Sequence, residues 1–231
     1  MEVMLLEKLA AVVLLSAALL QGSCDEALPD HDLKGTLFLI NRQHMLTECY
    51  APQTRRVQGP GMSQTMREDA ATALEEMFAA AKEEGITLSI VSGYRSYSKQ
   101  ATIYARKKKN TGSAKKADEL VARPGASEHQ LGLAMDLARK GSSQLNSSFA
   151  KTKEGQWVWE NCARFGFIVR YLEGSEEITG YSYEPWHVRY VGKEAAQSIM
   201  DSGLPMETWM ADYKAAVYDY LIFQSASEVW Q

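Results

Sequence analysis

Two of the four histidines, His129 and His187, stand in dense polar motifs, whereas His31 and His44 do not. The first motif is Ser127-Glu-His129-Gln-Leu-Gly132-Leu-Ala134-Met-Asp136 and the second is Glu184-Pro-Trp186-His187-Val-Arg189-Tyr190. A catalytic zinc takes three protein ligands of nitrogen, sulfur or oxygen type and keeps a fourth position for water. His129, Asp136 and His187 supply such a set. Glu184 lies three residues before His187, and Pro185 turns it away from helical geometry, so this is not the helical H-E-x-x-H arrangement. A carboxylate beside zinc but not bound to it is what metal-assisted hydrolysis needs, because it takes the proton of the activated water and passes it to the leaving amine. Glu184 is that general base. Trp186 has two readings, a wall that limits water at the site or an ordinary core residue.

A third patch, Ser92-Gly93-Tyr94-Arg95-Ser96-Tyr97-Ser98-Lys99-Gln100, follows an apolar run. Arg95 offers a planar fork suited to a carboxylate or to an oxyanion forming on a substrate. Taken singly, an Arg in a loop is ordinarily solvated and a His ordinarily structural. The argument rests on the set.

The elements that must position these residues follow from periodicity. Thr65 to Glu84 carries Met66, Ala70, Leu74, Met77, Phe78 and Ala81 at the spacing of one buried helix face, with Gly85 as a stop. Ile86 to Val91 alternates as a half-buried strand, and Ser92-Gly93 turns out of it. Ser98 to Lys108 reads as helix. Lys107, Lys108, Lys109, Lys115 and Lys116 make a basic stretch that either meets an anionic partner or is only solvated. Gly132 to Ala138 reads as a strand with Asp136 on the same face as Ala134, where small residues leave room for a metal. Phe165 to Tyr171 and Tyr183 to Val191 are further strands, and Lys193 to Ser202 and Pro205 to Phe223 further helices. Helix first and then strands with interposed loops is an α+β pattern.

At 231 residues, with 45% hydrophobic and 23% charged residues, the composition fits one globular domain and argues against wholesale disorder or a multi-span membrane protein. A net charge of -4 has the wrong sign for a chain that binds nucleic acid backbone. Leu9 to Leu20 is an apolar run too short for a comfortable span and fitting for a secretory signal. Small residues before Cys24 resemble a lipoprotein cleavage box, although Gln21 stands where such boxes carry an aliphatic residue, so a lipid at Cys24 stays open. Cys49 and Cys162 then form an even pair, either one disulfide or two thiols.

Together and in this order, the three patches resemble the D-alanyl-D-alanine carboxypeptidases of the vancomycin-resistance (VanY) type, in the zinc peptidase superfamily that includes lysostaphin and the hedgehog signalling domain. The resemblance runs from about Leu37 to Tyr213. It includes Asn41-Arg42, the Ser92 to Gln100 patch, S-x-H-x-x-G-x-A-x-D as Ser127, His129, Gly132, Ala134 and Asp136, and E-x-W-H as Glu184, Trp186 and His187. It implies a single α+β domain whose small antiparallel sheet carries the site between flanking helices. One zinc is held by His129, Asp136 and His187, with Glu184 as base and Arg95 on the substrate carboxylate or on transition-state charge. Gln100, Ser127, Tyr171 and Trp186 line the peptide pocket.

The implied reaction removes the terminal D-alanine from peptidoglycan stem peptides outside the cytoplasmic membrane, in agreement with the signal-like segment. The expected layout is a signal segment at 1–24, a linker at 25–36, the catalytic domain at 37–213 and a tail of unassigned role at 214–231. The expected partner is the stem peptide, with no nucleic acid and with membrane contact only through a lipid at Cys24; the oligomeric state is open. An L,D-carboxypeptidase or a wall endopeptidase would share the same zinc and base. A non-catalytic binding module is disfavoured because base and ligands are all intact.

Overall fold

The computed structural model describes residues 35–215. The expected signal segment, Cys24, most of the linker and the tail beyond 215 lie outside them. No helix among the described residues is long and apolar enough to cross a membrane.

From Phe38 onward the described chain folds as one unit. A two-residue ladder of β1 (Arg55–Arg56) and β2 (Thr65–Met66) precedes helix α1 (Glu68–Glu83). The helix buries Ala70, Ala71, Ala73, Leu74, Met77, Phe78 and Ala81 on one face. Glu68 and Asp69 in its first turn and Lys82 in its last complement the helix dipole. Thr65 and Met66, expected in that helix, instead pair with Arg55 and Arg56, which sets the helix entry.

The main sheet is antiparallel throughout and ordered β3 (Leu88–Ser92), β4 (Ala134–Arg139), β6 (Glu184–Tyr190), β5 (Phe167–Tyr171). The last strand in sequence therefore lies inside the sheet, beside β4, and this brings the two histidine motifs together. Leu88, Ile90, Met135, Leu137, Phe167 and Val188 are essentially fully buried. Each such side chain contributes about 1.5–3 kcal/mol of hydrophobic stabilisation.

Helix α2 (Tyr97–Thr111) starts at Ser96, whose hydroxyl accepts from the Lys99 amide, and ends at Gly112, whose φ of +66° is cheap only for glycine. It is followed by α3 (Ala114–Leu120), α4 (Lys153–Asn161), the one-turn α5 (Glu176–Thr179) and α6 (Lys193–Ser202). Residues 206–215 are again helical, the described part of the expected closing helix. The basic stretch lies on two helices, with Lys115 and Lys116 exposed on α3 while Ala117 and Asp118 face inward.

The pairing of Cys49 with Cys162 is not made. Cys162 is a buried free thiol at the end of α4, and burial pushes its pKa up to about 12.

Candidate metal centre

Asp136 on β4 and His187 on β6 are directly opposed register partners. Opposed residues of an antiparallel pair point to the same face, and His187 Nδ1 lies 3.1 Å from Asp136 Oδ1. His129 comes from a short 3-10 turn, Glu128–Leu131, ended by Gly132 at φ +72°. Its Nε2 lies 3.4 Å from Asp136 Oδ2, and the two imidazoles meet edge to face with centroids 4.9 Å apart. One ligand atom from each of the three residues lies within 4.8 Å of the others, and all three residues are buried.

Glu184 would not reach this face on a regular strand, since residues three apart point to opposite sides. The register between β5 and β6 slips: Val169 opposes Val188, but Tyr171 opposes Glu184, so β6 takes four steps where β5 takes two. The bulge turns the chain so that Glu184 Oε2 comes within 3.8 Å of His187 Nδ1. A second irregularity between Ile90 and Ser92, opposite Leu137 and Asp136, shapes the exit of β3. There the Gly93 carbonyl accepts from His129 Nδ1 at 2.7 Å.

These contacts settle which nitrogen of each ring faces the cluster. The Gly93 carbonyl can only accept, so His129 carries its proton on Nδ1 and turns an Nε2 lone pair inward. That Nε2 is buried without a hydrogen-bond partner. His187 donates from Nε2 to Glu128 Oε2 at 3.3 Å, which leaves Nδ1 facing Asp136. Two imidazole nitrogens and a carboxylate, with an orphaned lone pair among them, fit a divalent cation of the zinc kind.

The electrostatics separate the acids by role. Burial pushes Glu184 up to about 7, and the Asp136 charge adds to this while His187 and Arg95 oppose it. Burial would also raise Asp136, but the two histidines hold it well below the usual carboxylate range. Burial and Arg95 bring His129 down to about 4. Burial works against the charge on His187, yet Asp136 and Glu128 raise it to about 9.

Arg95 follows β3, with its backbone amide donating to the His129 carbonyl at 3.2 Å. Arg95 is half-buried, and its Nε is buried with no hydrogen-bond partner; burial lowers its pKa, and the charges of Asp136 and Glu184 offset part of this. The Tyr171 ring lies 5.0 Å from the His187 ring. Ser127 is buried immediately before the 3-10 turn. Gln100 is fully buried, and its amide donates to the Ala122 carbonyl at 2.6 Å while Oε1 is unpartnered. Trp186 is half-buried in β6. Sequence reasoning passed over Glu128, Arg170 and Glu207, whose contacts with one another and with His187 span tens of residues.

Three converging ligand atoms, a carboxylate set apart from them and a half-buried guanidinium define a class, a hydrolase centre built for a single metal ion on an α+β domain. The model of the VanY D-alanyl-D-alanine carboxypeptidase family matches residues 63–193. The D-alanyl-D-alanine carboxypeptidase of Enterococcus faecalis is 38% identical over 185 residues, 76% of this chain and 65% of the relative. The LdcB LD-carboxypeptidase structure superposes with a TM-score of 0.73 at 42% identity, covering 78% of this chain and 88% of that one. A vancomycin-resistance D,D-pentapeptidase, VanY, solved as a glutamate-to-alanine variant in complex with Zn(II), gives 0.66 at 36% identity, covering 76% and 98%. The chain belongs to the VanY family of D-alanyl-D-alanine carboxypeptidases.

Proposed function

We propose that this protein is an extracytoplasmic zinc D,D-carboxypeptidase that removes the C-terminal D-alanine from peptidoglycan stem peptides. The observation that carries the reading is the buried His129, Asp136 and His187 cluster with Glu184 held beside it but 3.8 Å from the nearest ligand nitrogen. His129 Nε2, an Asp136 oxygen and His187 Nδ1 would hold the ion. When bound, zinc supplies a Lewis acid that polarises the scissile carbonyl and acidifies water. Glu184 takes a proton from the attacking water and returns it to the departing D-alanine nitrogen. Its pKa, raised by desolvation to about 7, suits a group that must hold and release a proton near neutral pH. Arg95 offers its guanidinium to the terminal carboxylate or to charge on the breaking carbonyl. Tyr171, Ser127 and Gln100 border the peptide, and Trp186 limits water.

The apolar Leu9 to Leu20 run supports an export signal at 1–24 and a catalytic domain at 37–213, with a lipid at Cys24 as one mode of attachment. The 42% identity to LdcB favours a second reading, L,D-carboxypeptidase action on the same centre. Peptides ending in D-Ala-D-Ala and in L-Lys-D-Ala, incubated with the enzyme with and without a chelator and read by mass, separate the two. Chelator-sensitive loss of D-alanine from the first supports the D,D assignment. Loss from the second alone supports L,D action, and loss from neither by a zinc-loaded protein removes both.

A further inference from the structure

We infer that Glu128, clamped by Arg170 and Arg189, is a positioning residue for His187, and that Glu207 in the C-terminal helical segment extends the clamp. The inference rests on the metal-centre reading above. The two carboxylate oxygens of Glu128 have separate tasks. Oε1 accepts from Arg170 Nε and from Arg189 Nη1, each at 2.8 Å, while Oε2 accepts from His187 Nε2 at 3.3 Å. With Oε1 fixed by two guanidiniums, Oε2 is held at one place under the His187 ring.

Arg170 is fixed in turn. Its Nη1 and Nη2 meet Glu207 Oε2 and Oε1 at 2.9 and 2.7 Å, a paired fork that removes its rotamer freedom. Arg189 Nη2 also donates to the Phe38 carbonyl at 2.9 Å. The side chains of Glu128, Arg170 and Arg189 are 0% exposed. Together with Glu207 they place two positive and two negative charges behind a single imidazole.

Stability is a poor reason for this arrangement, because desolvating buried ions offsets most of their attraction and apolar substitutes often do as well. Orientation is a better one. A carboxylate on the outer N–H of a ligand imidazole fixes its tautomer and ring plane and makes its inner nitrogen more basic. The clamp also links the closing helix to the centre, since Glu207 reaches His187 through Arg170 and Glu128.

The test is zinc affinity, measured by competition against a chelating dye, for the parent chain, Glu128→Gln, Glu207→Gln and the surface control Glu76→Gln, each with its thermal melt. Glu76 pairs only at the surface with Lys193, at 3.5 Å. The expected result is zinc binding weakened about 10- to 100-fold in Glu128→Gln and several-fold in Glu207→Gln, with Glu76→Gln at the parent value. A lowered melting temperature with zinc affinity within twofold of the parent in Glu128→Gln would overturn the inference and leave a purely structural clamp. If Glu128→Gln loses its cooperative melt, Glu207→Gln decides, and parental zinc affinity there overturns the inference. A parent chain that takes up no zinc would sink the metal-centre reading first, and this inference with it.

Discussion

Asp136 and His187 face each other across β4 and β6, with Oδ1 and Nδ1 3.1 Å apart although 51 residues separate them in sequence. A ladder between two interior strands fixes this pair, so two of the three candidate ligands are placed by the sheet rather than by loops. Removing either ligand should leave the sheet folded and empty the site. In Asp136→Ala and His187→Ala, zinc retained after dialysis should fall from one ion per chain to a trace, a loss of affinity above about 100-fold. Metal content by elemental analysis, beside a circular dichroism spectrum, checks this.

Gly93 carries a carbonyl rather than a side chain to the site. A Cβ at this position would lie 2.7 Å from the Thr65 carbonyl oxygen, a backbone atom that cannot step aside. Gly93→Ala should therefore shift the strand exit and turn its carbonyl from His129 Nδ1, which sets that tautomer. The expected cost is about 1–3 kcal/mol in stability, as for an overpacked core site, together with weaker zinc binding. Denaturant unfolding and zinc titration on the same variant test both halves.

Arg95 has a buried Nε with no partner and sits in the field of Asp136 and Glu184. Arg95→Ala should keep its zinc and lose about 100- to 1,000-fold in kcat/KM, the scale of a lost transition-state or substrate anchor. Arg95→Lys should recover only part, because the ammonium lacks the planar fork. Steady-state kinetics on a peptide ending in D-Ala-D-Ala measures this. An unchanged kcat/KM removes Arg95 from the site.

The candidate metal cluster and the main strands were legible in the sequence because they rest on residue type and local periodicity. His129, Asp136 and His187 could be named as ligands from their motifs, and β4 from alternation about Met135 and Leu137. The position of Glu184 relative to His187 was not legible, since strict alternation puts them on opposite faces and only the slip opposite Tyr171 reunites them. Glu128 looks like a surface acid beside a histidine, and its partners lie 42, 59 and 61 residues away. Helix α4 was missed because Gly155 interrupts a short polar segment; a Cβ there would lie 2.0 Å from the Phe149 carbonyl oxygen, so packing imposes the glycine.

Asp118 ties α3 to its surroundings by accepting from Arg123 at 2.7 and 2.9 Å and from the Tyr104 hydroxyl at 2.8 Å. The Arg123 guanidinium holds its pKa at about 2, against 3.8 ordinarily. A depressed carboxyl contributes stability that is present above its ordinary value and lost as pH falls through the folded one. Arg123 is half exposed and water screens the pair, so the contribution is small. Asp118→Asn should melt about 2–4 °C below the parent at pH 6, with the gap closing between pH 4 and 2. A gap that stays constant with pH would assign the effect to lost geometry rather than charge.

The proposed chemistry requires Glu184 to be a base that is not a ligand. Zinc content and D-alanine release from a stem pentapeptide should be measured on one preparation each of the parent and Glu184→Ala. The prediction is one zinc per chain in both, with turnover in the variant reduced by about 100- to 10,000-fold. A zinc-loaded variant that releases D-alanine within tenfold of the parent rate would contradict it.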